Sequence, residues 1–233
     1  MNAKKEVVWQ RFDEIDSTNE YAKTTRQEGK DLIVTAKRQI GGRGTKGRSF
    51  SSEEGGVYLT KLSFYDNFPA KEAFKIMAQA AVAVCETLQY YGLQPKIKWV
   101  NDVYVNDKKI CGILIENTLS GGNISSSIVG IGLNVNTSFE GELESIATSM
   151  RLEGGKSFLV EEVTERLIAE LSKTRSMEKY RAYLGFMRQP VTLIIGDKCV
   201  PATLLSVDDE GRLHADIEGE THVFSSAEVS IWT

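Results

Sequence analysis

"KIKWVNDVYVNDKKICGILIENTLSGGNISSSIVGIGLNVN", residues 96–136, holds three apolar segments separated by two turn signals. An Asn-Asp pair at 106–107 is the first signal, and a Gly-Gly-Asn triplet at 121–123 is the second. Turns this short connect neighbouring antiparallel strands. We therefore expect an antiparallel meander of three strands, over 96–105, 108–117 and 125–136.

Apolar periodicity elsewhere in the chain predicts further strands and four helices. Ser17 and Glu20 form a capping box at the start of the first helix, and Gly29 stands where a C-terminal glycine is expected. Pro69 lies near the first turn of the most apolar helix, which Gly92 ends. The predicted strands cover 7–15, 32–36 and 56–64, and the predicted helices cover 16–29, 68–92, 142–150 and 157–184.

The composition changes after residue 185. Residues 190–233 contain five short segments typical of strands, with tight-turn signals at 196–197, 209–211 and 218–219. Short strands at this spacing are typical of a small β-barrel. We therefore divide the chain into domains 1–185 and 186–233, with the boundary near residues 185–189.

The composition is that of an ordinary globular protein, with 233 residues, 41% hydrophobic, 26% charged and a formal net charge of −4. An acidic chain lacks the overall field that favours nucleic acid. The three cysteines have no metal-binding spacing and are expected to be reduced, and the N-terminus lacks an apolar signal core. No apolar run is long enough to cross a membrane. We expect a cytoplasmic protein that binds neither nucleic acid nor membrane.

One segment departs from this acidic background. QIGGRGTKGRSF, residues 39–50, is rich in glycine and carries only basic charges. It matches a dinucleotide fingerprint and nearly matches a P-loop, but both motifs require a helix directly afterwards, and the next residues favour a turn and a strand. Glycine still lets backbone N–H groups approach a ligand, and basic side chains attract phosphates. The segment predicts an anion-binding loop, with a flexible solvated loop as an equal alternative.

A second candidate is Lys98, which lies between Ile97 and Trp99 in a strand that we expect to be central in its sheet. Lysine is rarely placed in an apolar run without a partner. We interpret Lys98 as a fixed cation for an anionic intermediate. A solvated lysine on an edge strand is the alternative.

Two further pairs of residues lie at or inside the predicted strands. Asn101 and Asp102 could bind a metal ion or form a turn, and the turn is the commoner use of this pair. Gly130 and Gly132 lie inside a strand, where glycine costs stability unless something must approach the backbone closely. The two glycines therefore predict a ligand at this face.

Five motifs follow one another along the chain: STN at 17–19, GRGTKGR at 42–48, KWVND at 98–102, KKICGILIE at 108–116 and GIGLNVN at 130–136. In this order and at these spacings they resemble biotin protein ligases, over almost the whole chain. The resemblance implies an α+β fold with a mixed, largely antiparallel sheet and flanking helices, related to class II aminoacyl-tRNA synthetases. Residues 1–185 would form this catalytic domain, and 186–233 a small C-terminal SH3-like β-barrel.

The resemblance also implies a role for each motif residue. Ser17, Thr18 and Asn19 are expected at the biotin ureido ring, where the helix start leaves free N–H groups. Gly112 and Gly132 would give the bicyclic ring access to the backbone. The other expected biotin contacts are Gln39, Arg43, Gly44, Thr45 and Lys98; the nucleotide contacts are Arg43, Arg48, Asn101 and Asn134; and the catalytic cations are Lys98, Arg43 and Arg48.

The implied reaction uses ATP and Mg²⁺ as substrates. Biotin carboxylate attacks the α-phosphate to give biotinyl-5'-AMP and pyrophosphate, and a lysine of a biotin carboxyl carrier domain then attacks the mixed anhydride. No tightly bound cofactor is expected, no metal ligands are assigned beyond Asn134 lying near the magnesium, and the enzyme is a monomer or homodimer. Because no nucleophile of the enzyme is required, position and charge supply the catalysis.

Two alternative functions stay open. A lipoate or octanoate protein ligase of the same fold would carry GGG and a nearby His-Asp pair at the loop, whereas this chain has GRG and no histidine before His214. A nucleic-acid-binding module would use the basic glycine loop, and a salt-dependent gel shift would reveal it.

The sequence departs from the usual GRGRRGR pattern at Thr45 and Lys46, and it has Val100 for proline and Phe50 for tryptophan. Because Thr45 lacks a guanidinium, we predict that biotinyl-AMP is held less firmly. Regulatory family members carry an N-terminal helix-turn-helix domain of roughly 60 residues. This chain begins close to the STN motif, so we expect no DNA binding.

Overall fold

The computed structural model describes residues 6–27, 29–44, 47 and 49–232. Its larger sheet has seven strands, ordered β1-β2-β3-β7-β6-β5-β4. The strands are β1 (Val7–Ile15), β2 (Asp31–Gln39), β3 (Gly56–Pro69), β4 (Lys96–Lys98), β5 (Asp102–Val105), β6 (Lys108–Ser120) and β7 (Asn123–Asn134).

The larger sheet is mixed and largely antiparallel, as the family resemblance implies. Among the described strands of this sheet, only β1 and β2 pair in parallel, and helix α1 (Thr18–Thr25) connects them. All other neighbours are antiparallel, and β5, β6 and β7 form the predicted meander. The turn signals at 106–107 and 121–123 lie where they were predicted.

The segment 96–105 is not the single central strand that the sequence predicts. It reverses at residues 99–101, so that β4 is a short strand at the edge of the sheet. The turn is fixed by Asn101, which donates from Nδ2 to the Ile113 carbonyl (2.7 Å) and accepts from the Ile113 N–H (3.0 Å). The central placement of Lys98 was therefore wrong, and the Asn101-Asp102 pair serves the turn.

The helices differ from their predicted bounds in several places. Pro69 ends β3, a 3₁₀ turn (Ala70–Glu72) follows, and Gly92 follows the end of α2 with φ +85° as predicted. Gly29 lies beyond the end of α1, so it is not that helix's terminal glycine. The helices after α1 are α2 (Phe74–Tyr90), α3 (Glu142–Ile146), α4 (Met150–Gly154), α5 (Val160–Leu171) and α6 (Met177–Tyr183).

The predicted helix over 157–184 was wrong, because the chain breaks between α5 and α6. The Arg175 guanidinium donates to the backbone carbonyls of Glu170 (2.5 Å), in the last turn of α5, and of Lys173 (2.9 Å), just after it. Lys61 of β3 donates to the Leu171 carbonyl (3.2 Å). These side chains satisfy the helix end, so the chain turns there.

A second sheet contains the five predicted C-terminal strands, in the order β11-β10-β9-β8-β12. Its edge strands do not pair with each other among the described residues, so a closed barrel is not observed. The sheet packs on the rest of the molecule, since Trp99 Nε1 donates to the Gly211 carbonyl (3.0 Å). Its strands are β8 (Pro190–Ile195), β9 (Lys198–Val207), β10 (Leu213–Ile217), β11 (Glu220–Phe224) and β12 (Val229–Trp232).

One main core fills the space between α2, the larger sheet and the second sheet. The buried residues of α2 include Val82, Cys85 and Leu88, and they face the β6 residues Cys111 and Ile113. The opposite face of β6 and β7 is left for a cleft. Within the described chain, no helix has both the length and the apolar composition that a membrane crossing requires.

Candidate functional site

The floor of the cleft is made of strand glycines. Gly112 of β6 lies directly opposite Gly132 of β7, and Gly130 is two residues further along β7. With no side chains at these positions, the sheet forms a depression. Its lining comprises Ser17, Thr18, Asn19, Gln39, Arg43, Gly44, Phe50, Asn101, Asp102, Lys109, Gly112, Ile113, Leu114, Gly130, Ile131 and Gly132.

The glycines are needed because side chains lie directly on the strand backbone. A Cβ atom at Gly132 would overlap the Phe50 ring, and one at Gly112 would lie 3.2 Å from Phe50 Cε2. A Cβ atom at Gly130 would overlap the amide of Asn19. The sequence predicted that a group approaches the backbone closely at Gly130 and Gly132. In this structure the side chains of Asn19 and Phe50 do so.

One wall of the cleft is neutral and polar. Ser17 caps α1 by accepting from the Glu20 N–H (3.5 Å), which places Thr18 at the helix start. Gln39 Oε1 accepts from Thr18 N (2.8 Å) and Thr18 Oγ1 (2.9 Å), and Gln39 Nε2 donates to Ser52 Oγ (2.9 Å). The side chains of the wall are therefore held by one another before any ligand arrives.

Thr60 supports this wall from inside the sheet, and the sequence analysis missed it. Its Oγ1 lies 2.6 Å from Asn19 Oδ1 and 2.8 Å from Thr18 Oγ1. Thr60 is fully buried in β3, directly after the apolar residues Val57, Tyr58 and Leu59. A hydroxyl at the end of this apolar run was the signal that could have revealed it, because a buried hydroxyl needs a partner.

Arg43 is the described cation of the glycine loop, and its partner comes from α1. Its Nη1 lies 3.1 Å from Glu20 Oε1, and Glu20 also pairs with Lys23 (2.8 Å), which pairs with Glu116 (2.7 Å). The pKa of Glu20 is lowered, chiefly by the hydrogen bond from Lys23. Because the Glu20 carboxylate pairs with Lys23 and Arg43, it does not complete the predicted capping box. The Arg43 side chain is 60% exposed, so this tether is loose.

Lys109 is the cation at the opposite end of the cleft, and the sequence analysis did not select it. Its Nζ forms an ion pair with Asp102 (2.7 Å), and its Cε would lie 3.3 Å from a Cβ atom at Gly112. In a regular strand Lys109 would share a face with Cys111, which is buried in the core. A β-bulge at Ile110 changes this, because Val103 pairs with Cys111 whereas Tyr104 pairs with Lys109.

Lys98 does not line the cleft, but it borders it. Its Nζ lies over the Tyr104 ring, 5.1 Å from the centroid. Burial lowers the pKa of Lys98; the charge on Lys109 lowers it further, and Asp102 opposes both. Lys98 therefore belongs to the same charged group as Asp102 and Lys109. Asp102 and Lys109 line the cavity, whereas Lys98 does not.

The other predicted site residues divide into three groups. Asn101 lines the cleft, but its amide is used by the Ile113 carbonyl. Asn134 is buried outside the lining, where its Nδ2 donates to the Thr148 carbonyl (3.0 Å). Thr45 and Arg48 lie outside the described residues. The structure brings together Ser17, Thr18, Asn19, Gln39, Arg43, Gly44, Asn101, Gly112 and Gly132.

This arrangement suits a small molecule that has a polar ring at one end and negative charge at the other. The neutral wall offers donors and acceptors, and Lys109 and Arg43 supply positive charge. A second, more open cleft shares the loop side of this lining and could admit a larger substrate. Among the described residues, no three His, Cys, Asp or Glu side chains are grouped so that they could hold a metal ion.

Residues 11–134 match the model of the biotin/lipoate A/B protein ligase family. The chain is 31% identical to the bifunctional ligase/repressor BirA of Bacillus spizizenii, covering 98% of this chain and 76% of that protein. It is 34% identical to the biotin–[acetyl-CoA-carboxylase] ligase of Paracoccus denitrificans, over 52% of this chain and 51% of that protein. The biotin protein ligase of Aquifex aeolicus, solved in complex with biotin and ATP, superposes with a TM-score of 0.80 at 28% identity, covering 98% of this chain and 99% of that one.

Proposed function

Since the chain belongs to the biotin/lipoate A/B protein ligase family, and within it to the biotin protein ligases, we propose that it attaches biotin to a lysine of a biotin carboxyl carrier domain, using ATP and passing through biotinyl-5'-AMP. The observation that carries this proposal is the cleft itself. A glycine floor, a neutral polar wall and a cation at the far end meet in one cavity.

The ureido ring of biotin matches the neutral wall in chemistry. A ureido group has N–H donors and a carbonyl acceptor, and Thr18, Asn19 and Gln39 present hydroxyl and amide groups. Hydrogen bonds between Thr18 and Gln39, and between Thr60 and Asn19, fix the rotamers of these side chains, so little side-chain entropy is lost on binding. The bicyclic ring would lie on the glycine floor, which requires the Phe50 ring to move.

Adenylation brings two negatively charged groups together. A carboxylate oxygen of biotin forms a bond to the α-phosphorus of ATP, and the bond to the β-phosphate oxygen breaks to release pyrophosphate. Lys109 is the described cation best placed to reduce the repulsion, because its ammonium lies beside Gly112 at the end of the floor. Its ion pair with Asp102 is partly open to solvent, so an anionic substrate can compete for it. A fixed charge that meets the developing charge lowers the barrier.

The second step transfers biotin to the carrier domain, and this step needs a nucleophile from the carrier domain. The uncharged amine of the acceptor lysine attacks the biotinyl carbonyl, AMP leaves, and the amine gives up a proton as the amide forms. The residues of this chain position the anhydride and exclude competing water.

Magnesium belongs to the proposal as part of the substrate Mg-ATP. Mg²⁺ is commonly held by one or two carboxylates together with substrate phosphates, and Asp102 is the carboxylate that lines the cleft. The division at residues 185–189, an SH3-like second domain, the carrier-protein partner and a cytoplasmic location also stay predictions.

Biotin-dependent exchange of pyrophosphate into ATP by the purified chain tests the proposal. We expect exchange that requires biotin and Mg²⁺ and that stops when biotin is left out. Lipoate and octanoate in place of biotin are the matched controls. Exchange with lipoate but not with biotin would assign the chain to the lipoate ligases of the family. If none of the three acids supported exchange, ligase activity would be rejected.

A further inference from the structure

Thr148 is a buried residue whose three polar groups are all hydrogen-bonded near the Lys109 end of the cleft. It lies between α3 and α4. Its N–H donates to the Lys109 carbonyl (2.9 Å), and its own carbonyl accepts from Asn134 Nδ2 (3.0 Å). Its hydroxyl donates to Glu153 Oε1 (2.5 Å). Thr148 therefore fastens the segment between the helices to the backbone of Lys109.

Lys109 depends on this contact because its strand is irregular there. The pairing between β6 and β7 begins at Cys111, so β7 does not pair with Lys109. On the other side, the bulge at Ile110 interrupts the ladder with β5. Ala147 takes the place of a neighbouring strand through a parallel bridge to Lys109. Lys109 therefore has a ladder partner only on the β5 side, where it pairs with Tyr104 next to the bulge. A strand residue beside a bulge needs other contacts to hold its direction.

Glu153 of α4 fixes the same strand from two sides. Its Oε1 accepts from Thr148, and its Oε2 accepts from Asn106 Nδ2 (2.6 Å) in the turn between β5 and β6. An ionised carboxylate only accepts hydrogen bonds, so one side chain satisfies two donors. Asn106 comes three residues before Lys109, so the carboxylate ties both the turn and the Lys109 backbone to α4.

We propose that Glu153 is a positioning residue for adenylation. Through Thr148 and Asn106 it holds the first residues of β6 so that the Lys109 ammonium stays at the end of the glycine floor. Glu153 does not line either cleft beside the glycine floor, so it acts through Lys109. The inference rests on the proposed function, because that function places the reacting charges at Lys109.

Replacing Glu153 by alanine tests the proposal. We expect Glu153→Ala to lower kcat for biotin-dependent exchange by about 10-fold to 100-fold, with little change in KM for biotin, because a misplacement of about 1 Å costs up to about 10² in rate. Glu153→Gln keeps one acceptor oxygen for Thr148 and should restore most of the rate. Ser145→Ala is the matched control, since that exposed hydroxyl bonds only within α3, to the Glu142 carbonyl.

A double variant separates positioning from a general loss of stability. If Glu153 acts through Lys109, adding Glu153→Ala to Lys109→Gln should cause little further loss, whereas independent effects would multiply. Asn106→Gly removes one exposed contact and suits the positive φ (+48°) of that turn residue, so it should fold and show a smaller drop of the same kind. Wild-type kcat in folded Glu153→Ala and Asn106→Gly, or multiplying losses, would overturn the inference. An absence of exchange in the unaltered protein would instead reject the proposed function.

Discussion

The Lys109–Asp102 pair in the cleft and the Arg175–Glu170 pair beside α2 contain the same kinds of charge but differ in surroundings. The cleft pair is 2.7 Å apart, and its side chains are 33% and 27% exposed. The helix pair is 2.6 Å apart, and its side chains are 3% and 2% exposed. Arg175 also contacts Glu86 and two backbone carbonyls.

This difference teaches what separates a binding charge from a structural one. The donors of Arg175 are directed at protein acceptors on α2, on α5 and in the loop after α5. The guanidinium therefore holds these three segments together and has little capacity for a ligand. Lys109 instead faces a glycine floor and a partly solvated carboxylate that a ligand can replace. Partner number and solvent access therefore indicate the role of each cation better than its charge does.

Replacing Lys109 should give the largest effect on catalysis. Lys109→Gln keeps the length of the side chain and removes the charge, so we expect adenylation to fall by roughly 10²–10³, the range seen when one preorganised group is lost. Pyrophosphate exchange measures the step, and circular dichroism checks the fold. Normal exchange in a folded Lys109→Gln variant would mean that the Lys109–Asp102 pair serves the fold, like the Arg175–Glu170 pair, and does not serve catalysis.

Replacing Arg175 should affect stability and leave the activity per folded molecule unchanged. Arg175→Met leaves Glu170 buried with weaker partners, so we expect a loss of about 3 kcal/mol in the free energy of unfolding. Lys173→Met is the matched control, because it removes an exposed partner of the same carboxylate and should cost less than about 1 kcal/mol. Urea unfolding measures both, and equal losses would contradict the distinction between buried and exposed partners.

Lys98 belongs to neither pair. It is half-buried next to Asp102, but it does not line the cleft. The sequence alone placed it at the reacting centre. From its position in the structure we expect Lys98→Gln to lower exchange by about fivefold, since a charge acting across a partly solvated gap contributes on the order of 1 kcal/mol. Single-turnover transfer from pre-made biotinyl-AMP should be affected less. A loss as large as that of Lys109→Gln would return Lys98 to the reacting centre.

Replacing Thr45 should give the smallest effect. The effect concerns retention of biotinyl-AMP and not the rate of the chemical steps. Thr45→Arg adds the guanidinium that is usual in the family, so we expect biotinyl-AMP to dissociate about 2-fold to 10-fold more slowly, the value of one hydrogen bond. Release of labelled adenylate from the purified complex measures this rate. An unchanged rate would show that Thr45 does not weaken retention.

Local chemistry made much of the fold predictable. The turn signals at 106–107 and 121–123 set the meander, because short turns permit only antiparallel neighbours. The apolar helix observed as α2 and the five C-terminal strands were also predicted correctly. The break between α5 and α6 was not predictable, because it depends on Arg175 and Lys61 reaching carbonyls at the end of a helix.

The sequence by itself determined the family motifs, the glycine floor and the polar residues of the wall, because each is written in a short contiguous segment. Only the tertiary structure decided which lysine enters the cleft. Strict alternation puts Lys109 on the core face, and the bulge at Ile110 turns it to the other face. The edge position of β4 leaves Lys98 beside the cavity. Bulges and strand order arise from pairing between distant segments, so no local pattern in the chain specifies them.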